Sequence, residues 1–306
     1  MSLKSIQDGA RRLIFAFFIK VTRFLSGKGL GLIPGAKRIH KWLYNLALPR
    51  GIALIPVQGH KMYVNVRDRW IGPYLLAGVN YEKFETQLFK DAIKPGCVVV
   101  DIGANIGYYT LLAARRAGNT GRVYAFEPGP EAFKLLLKNI QLNNYTNVIP
   151  VAKAVADRST KVKLYLHPVD YCTVSFDERN IRPEKGYSME TQTVSLDEFF
   201  GSDAKEQKID VIKTDAEGAE GLIVAGADKV LKTPGLTVFF EFWPFGLNHI
   251  GSDPLQLLEK LRGYGFKIQM IDEDAQALKP LDTQKVLAVI KEQDKNEDSF
   301  NLLLTK

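Results

Sequence analysis

The stretch CVVVDIGANIGYYT, residues 97–110, decides the fold. Its valines and Ile102 form an unbroken apolar run closed by Asp101 and Gly103, which is how a strand buried on both faces reads. Gly103 and Gly107 remove side chains where the backbone must turn tightly and a ligand can come close. Residues 108–117 continue with helical spacing, so strand, loop and helix follow one another. The free N–H groups at the start of that helix suit a carboxylate or a phosphate.

The same alternation continues on both sides. Upstream, IALIPV and KMYVNV read as a hairpin turning at Gln58-Gly59, and residues 81–93 as a helix that stops before Pro95-Gly96. Downstream, RVYAFEP is a strand and residues 130–142 a helix with Pro130 in its first turn. VIPVAKAV is a third strand, and KVKLYL and TQTVSL are extra strands inside an excursion over residues 157–196. IDVIKTD is a further buried strand, followed by a helix through Leu231. LTVFFEFW, a helix over 254–264, FKIQMI, VLAVI and FNLLLTK complete the chain, with 292–298 as a polar turn. Repeated strand–helix alternation predicts an α/β, doubly wound, mostly parallel sheet with helices on both faces. Ligands of such sheets bind beyond the carboxyl ends of the strands, where strand order reverses. Those ends are polar here: Asp101, Glu127, Lys153, Asp215 and Glu241.

Composition narrows the classes. The 306 residues are 46% hydrophobic and 25% charged, which excludes collagen-like and wholly disordered chains. Cys97 and Cys172 are too few for a disulfide framework and favour a reducing, cytoplasmic setting as small apolar residues. The net charge of +7 is unevenly placed: residues 1–50 carry ten Lys or Arg and one acid, Asp8, whereas the rest carries 31 basic and 33 acidic side chains. A near-neutral body argues against a long nucleic-acid groove, so no nucleic-acid partner is expected.

The basic segment divides the chain into an extension, 1–45, and a body, 46–306. RRLIFAFFIKVTRFL, residues 11–25, is too short in its apolar run to span a bilayer and lacks a signal-peptide cleavage site. On a helix, Arg12, Lys20 and Arg23 fall within roughly an 80° arc opposite Leu13, Ile14, Phe17, Phe18, Val21, Phe24 and Leu25. Such an amphipathic helix suits a membrane interface, and the cluster Lys37, Arg38, His40, Lys41, beside Trp42, prolongs the same basic surface. An anionic membrane meeting residues 11–42, at the inner face, is one expectation; packing of the apolar face on the body or a partner is the other.

Glu127 stands 20 residues beyond Gly107, where an acid commonly grips a ribose diol. A dinucleotide fingerprint would have glycines where this chain has Asn105 and Tyr108, so the close pyrophosphate approach is lost. A nucleoside without a diphosphate fits better, and S-adenosyl-L-methionine is such a ligand.

At these residues the chain resembles a known family. DIGANIGYYT, AFEPGPEAFKLLLKNIQLNN, VSLDEFF and IDVIKTDAEGAE, in this order within residues 51–243, are similar to FkbM-type methyltransferases. The resemblance implies the Rossmann-like class I methyltransferase fold, a seven-stranded sheet with one antiparallel strand, and methyl transfer to a hydroxyl of a sugar, polyketide or lipid-linked acceptor. It also implies positions around the cofactor. Asp101 and Gly103 lie under the methionine end, Asn105 and Gly107 line the same loop, and Glu127 holds the ribose with Pro128 beside the adenine. Ala154 and Val155 flank the adenine ring, and Tyr81 and Glu82 close over the cofactor.

An alcohol acceptor benefits from a base or a metal near its hydroxyl. Asp215, closing IDVIKTD, is assigned to orienting the acceptor or the sulfonium end. Glu241, or His249 in the loop after Trp243-Pro244, is assigned as proton acceptor. A divalent ion held by Asp215, Glu241 and His249 is the alternative. Glu217 and Glu220 follow in the DAEGAE turn, Glu220 reading as an exposed first-turn helix acid. Competing functions are nucleic-acid methylation, for which no Asn-Pro-Pro-Tyr, Asp-Pro-Pro-Tyr or Pro-Cys motif occurs, and a membrane-attached cofactor-binding module without turnover.

Overall fold

The structure, a computed structural model, describes residues 51–66, 68, 71–76, 78, 81–167, 174–181, 186–201, 208–281, 286–287 and 299–306. The expected amphipathic helix, the 1–45 extension, Cys172 and the polar turn over 292–298 lie outside them. The chain divides into two compact units at Tyr81/Glu82.

The described part of the first unit is a hairpin, β1 (Ile52–Val57) and β2 (His60–Asn65), followed by helix α1 (Ile71–Leu76). Ile52 pairs with Asn65 and Val57 with His60, around a turn whose Gln58 and Gly59 both have positive φ. That backbone matches the right-handed twist of the strands, as the sequence predicts.

The second unit opens with α2 (Lys83–Ala92), β3 (Val98–Ile102), α3 (Tyr108–Ala117), β4 (Arg122–Phe126), α4 (Pro130–Leu142) and β5 (Val148–Val151). A bend then carries the chain into β6 (Ala154–Val155), so the expected single strand VIPVAKAV is split between two sheets. The excursion supplies β7 (Lys161–Leu166), β8 (Val174–Ser175), a 3-10 turn (Glu178–Asn180) and β9 (Tyr187–Val194); with β6 these strands form a separate four-stranded sheet. Then follow α5 (Leu196–Phe200), β10 (Val211–Thr214), α6 (Glu220–Ala225), α7 (Asp228–Leu231) and β11 (Thr237–Phe242). Gly226 and Ala227 break the expected single helix between α6 and α7; a Cβ at Gly226 would stand 2.2 Å from the Ala156 carbonyl oxygen. The rest is α8 (Pro244–His249), α9 (Pro254–Gly263), β12 (Lys267–Asp272), β13 (Ala277–Pro280) and β14 (Phe300–Thr305).

Among the described residues the main sheet has eight strands in the order β13-β12-β14-β11-β10-β3-β4-β5. β5, β4, β3, β10 and β11 run parallel, and β14 runs against β11. This is the class I, Rossmann-like arrangement. It carries one strand beyond the seven that the resemblance implies: β13 returns antiparallel on β12 through a turn at Gln276. VLAVI is not a strand where it is described, because Val286 and Leu287 are helical.

Both faces of the sheet are covered. Val100, Ile102, Ile212, Val238 and Phe240 enter one apolar cluster with Val224 of α6, Val230 of α7 and Leu257 of α9. Their alternate neighbours turn the other way, where Phe239 meets Phe89 of α2 edge-on and Asp101 meets Thr110 of α3. Strand order reverses between β3 and β10, so the two carboxyl ends that flank the crevice are those of Asp101 and Asp215.

Candidate active site

The loop after β3 is stitched to its neighbours. The Gly103 and Ala104 N–H groups both donate to the Phe126 carbonyl, and the Asp215 N–H donates to Ile102 O. Gly103 has φ +78, and a Cβ there would stand 1.9 Å from the Asp215 carbonyl oxygen. Only glycine lets the ends of β3 and β10 come this close. Asn105 is also left-handed, and Gly107 caps α3 in the same conformation.

Glu127, just past β4, is buried and reaches back under this loop. Its carboxyl accepts from the Asn105 N–H at 2.7 Å and from the Gly129 N–H at 2.7 Å. Burial pushes its pKa up to about 7, against the pull of those two N–H groups. Each carboxylate oxygen keeps a further lone pair for a hydroxyl. Pro128 follows directly, ahead of α4. Ala154 and Val155 are buried in β6; Ala154 pairs with Thr193, and Val155 belongs to the large apolar cluster.

Asp101 is buried at the end of β3 and accepts from the Thr110 hydroxyl at 2.5 Å. Burial raises its pKa to about 6, with Thr110 and Lys213 opposing. Lys213 pairs in register with Asp101 and lies 3.1 Å from Glu85 and 3.7 Å from Asp215. Glu82, left-handed at φ 42 ahead of α2, accepts from Tyr109 Oη at 2.7 Å and from Asn301 Nδ2 at 3.0 Å. Burial pushes its carboxyl upward, Lys213 opposing. Lys213 thus meets Glu85 and Asp215 directly and lies over Tyr109, which holds Glu82, while it acts on Asp101 electrostatically.

The other rim is the DAEGAE turn and the segment after β11. Gly218 has φ +94, and a Cβ there would stand 2.6 Å from the Gly246 backbone, so this turn sits directly on α8. Glu220 is fully buried, not the exposed helix acid that position favours, because its side chain folds back to accept the Ala216 N–H at 2.7 Å. Burial holds it at about 7. Glu241 is raised well above the usual range by burial and by Asp215, Glu217 and Glu220. One of its oxygens is buried without a hydrogen-bond partner. His249 lies in α8 rather than in a loop, since Pro244 fits the first turn and starts a helix there. Its Nδ1 stands 2.6 Å from Asn180 Oδ1. Asn180 Nδ2 donates to the Glu217 and Gly246 carbonyls, which fixes the amide orientation. Nδ1 therefore carries a proton and donates it to Asn180 Oδ1.

Among the described residues no group of three or more His, Cys, Asp or Glu is arranged to hold a metal ion. Lys213 and Asn180 join the site although sequence reasoning does not single them out. A lysine inside the apolar run VIK is a signal in itself, because a buried ammonium requires an acid partner. Asn180 carries no local signal, since it acts on a residue 69 positions away.

Comparison with known proteins settles the family. The Methyltransferase FkbM domain matches residues 101–268, more than half of the chain. The chain belongs to the FkbM methyltransferase family. The hexuronic acid methyltransferase AglP of Haloferax volcanii is 28% identical over 164 residues, 54% of this chain and 61% of that protein. A tRNA(Phe) (4-demethylwyosine(37)-C(7)) aminocarboxypropyltransferase of Methanocaldococcus jannaschii is 44% identical over 69 residues, 20% of this chain and 27% of that one. The crystal structure of methyltransferase FkbM from Methylobacillus flagellatus aligns with 13% identity and a TM-score of 0.43, over 77% of this chain and 52% of that one. The chain spans less than two thirds of the length of each.

The cofactor of the FkbM family is S-adenosyl-L-methionine, which when bound supplies a methyl group on a positively charged sulfur. The donor set fits it. Glu127 offers two acceptors suited to a diol, and Asp101, Glu82, Asp215 and Glu241 form an acidic surround with one buried ammonium, Lys213. A ligand carrying a sulfonium and an ammonium offsets the burial that pushes the Asp101, Glu82 and Glu241 carboxyls up.

Proposed function

We propose that this FkbM protein is an S-adenosyl-L-methionine-dependent O-methyltransferase acting on a hydroxyl of a sugar, glycan or lipid-linked acceptor. The observation that carries the oxygen acceptor is the rim opposite Asp101, where Asn180 holds the His249 ring as its Nδ1–H tautomer, leaving Nε2 as the base. Orientation of a base by a third group is what proton removal from an alcohol requires. Asp215, half-exposed above Lys213, orients the acceptor or the sulfonium end, and Glu241 is the second candidate base. Asp101, Gly103, Asn105, Gly107, Glu127 and Pro128 hold the cofactor, with Ala154 and Val155 on the adenine side and Glu82 over the methionine end. The sugar acceptor draws support from the hexuronic acid methyltransferase relative. The tRNA-modifying relative matches only 69 residues, and the body of this chain lacks the positive charge of a nucleic-acid groove.

Labelled methyl transfer to glycan, lipid and RNA fractions tests the assignment. Glycan or lipid labelling is expected; RNA labelling alone would contradict it. His249→Ala should lower turnover on the order of 100-fold with cofactor affinity kept, and Asp215→Asn should lower turnover to a similar extent. The same substitution series includes Glu241→Gln, and unchanged turnover in all three removes the assignment. The basic segment over residues 11–42 supports a cytoplasmic location with contact to anionic lipid at the inner membrane face.

A further inference from the structure

Among the described residues Lys213 is the one buried Lys or Arg, at 1% exposure on a fully buried strand beside Val211, Ile212 and Thr214. Six groups face it from every element around it. Glu85 on α2 is fully buried at 3.1 Å, Asp215 at the crevice stands at 3.7 Å, and the Tyr109 ring on α3 lies under the ammonium with its centroid 5.2 Å away. Glu82, Asp101 and Glu241 complete the set electrostatically. Asp215 is two residues on, just past the end of β10, and 35% of its side chain is exposed. The ammonium therefore sits directly beneath the one carboxylate of the pair that opens to the crevice. Its second contact, Glu85, belongs to the helix whose N-terminus presents Glu82, and Tyr109, over which Lys213 lies, donates to that same Glu82.

We propose that Lys213 is a positioning residue for the site: it holds the Asp215 carboxylate at the crevice and, through Glu85, ties α2 and with it Glu82 to the sheet. The inference rests on reading the crevice as the cofactor pocket. Burial lowers an ammonium's pKa, but Glu85, Asp215, Glu82 and Glu241 outweigh burial and keep Lys213 charged. In return Lys213 pulls the Glu82, Asp101 and Glu241 carboxyls down against burial. Without it these acids take up protons at higher pH, and the site loses the charge that meets a sulfonium.

Removing one partner of a buried pair leaves the other charge stranded, so Lys213→Met alone is expected to unfold the chain. The test uses the full chain carrying K213M with E85Q, which removes both charges, beside K213R, which keeps the cation. Calorimetric titration with S-adenosyl-L-methionine from pH 5.5 to 8.5 gives the pH midpoint of binding. Infrared titration of the ligand-free carboxyl band gives the midpoint of the acids themselves. Both midpoints are expected to rise by about one pH unit in the double variant and to stay at the wild-type position in K213R. A folded double variant whose carboxyl midpoint equals that of the wild type overturns the role of Lys213. Wild-type protein that binds no cofactor at any pH overturns the pocket reading instead, and the infrared midpoints still decide Lys213.

Discussion

At the scale of single residues the site is built from acids held against their solution preference. Asp101 is raised to about 6, and Glu127 and Glu220 to about 7, by burial first in each case. Acids with raised folded-state pKa values bind protons more tightly in the native state than in the unfolded chain. Their contribution to stability is present below about pH 4 and is lost as pH rises through 6 to 7; a tenfold difference in proton affinity between the two states corresponds to about 1.4 kcal/mol. The thermal midpoint of the ligand-free protein should therefore fall between pH 5 and pH 7.5, with a smaller fall when the cofactor is bound. A ligand-free midpoint that rises over this interval contradicts the charge state assigned to the pocket. Asp101, Gly103 and Glu127 are legible in the sequence because their roles depend on position along one strand–loop–helix–strand unit. The burial of Glu220, the Lys213–Glu85 pair and the Asn180–His249 contact are not, because each arises from chain folded back over a turn or brought in from far along the sequence.

At the scale of elements, the crevice depends on how closely β3 and β10 approach and on where α2 begins. Gly103→Ala forces a Cβ onto the Asp215 carbonyl in a left-handed backbone, so a loss of at least about 2 kcal/mol in urea unfolding is expected. A loss under about 0.5 kcal/mol would show that the loop can open without cost, against the close approach described. Helix α2 is capped from a distance: Glu273, in the β12–β13 turn, accepts the Phe84 N–H at 2.9 Å and the Glu85 N–H at 2.7 Å. Glu273→Ala should cost about 1 kcal/mol and weaken cofactor binding, since the same helix carries Glu82 and Glu85. Full cofactor affinity in that variant would separate α2 from the site. Helix and strand order follow from periodicity, down to the limits of α3 and α4. The third strand reads as one piece because VIPVAKAV keeps its apolar pattern through a bend that moves it between sheets. Helix α8 escapes a sequence reading because WPFGLNH looks locally like loop, and the N-terminal proline is the one residue that signals its start.

At the scale of the whole molecule, the charge distribution separates two tasks. The body from residue 51 onward carries a net −2 and contains the acidic pocket, whereas residues 1–50 carry a net +9. Deleting residues 1–45 should reduce binding to anionic vesicles and leave cofactor affinity unchanged; equal vesicle binding by the shortened protein would end the membrane assignment. The central claim is the pocket itself, with Asp101 and Glu127 on either side of the Gly103 bend. Its most direct test is calorimetric titration of the purified protein with S-adenosyl-L-methionine, with thermal unfolding alongside. The account predicts saturable heat at one site per chain and a midpoint raised by about 5 °C at 100-fold excess over Kd, both lost in Glu127→Ala. No heat and an unmoved midpoint would contradict it.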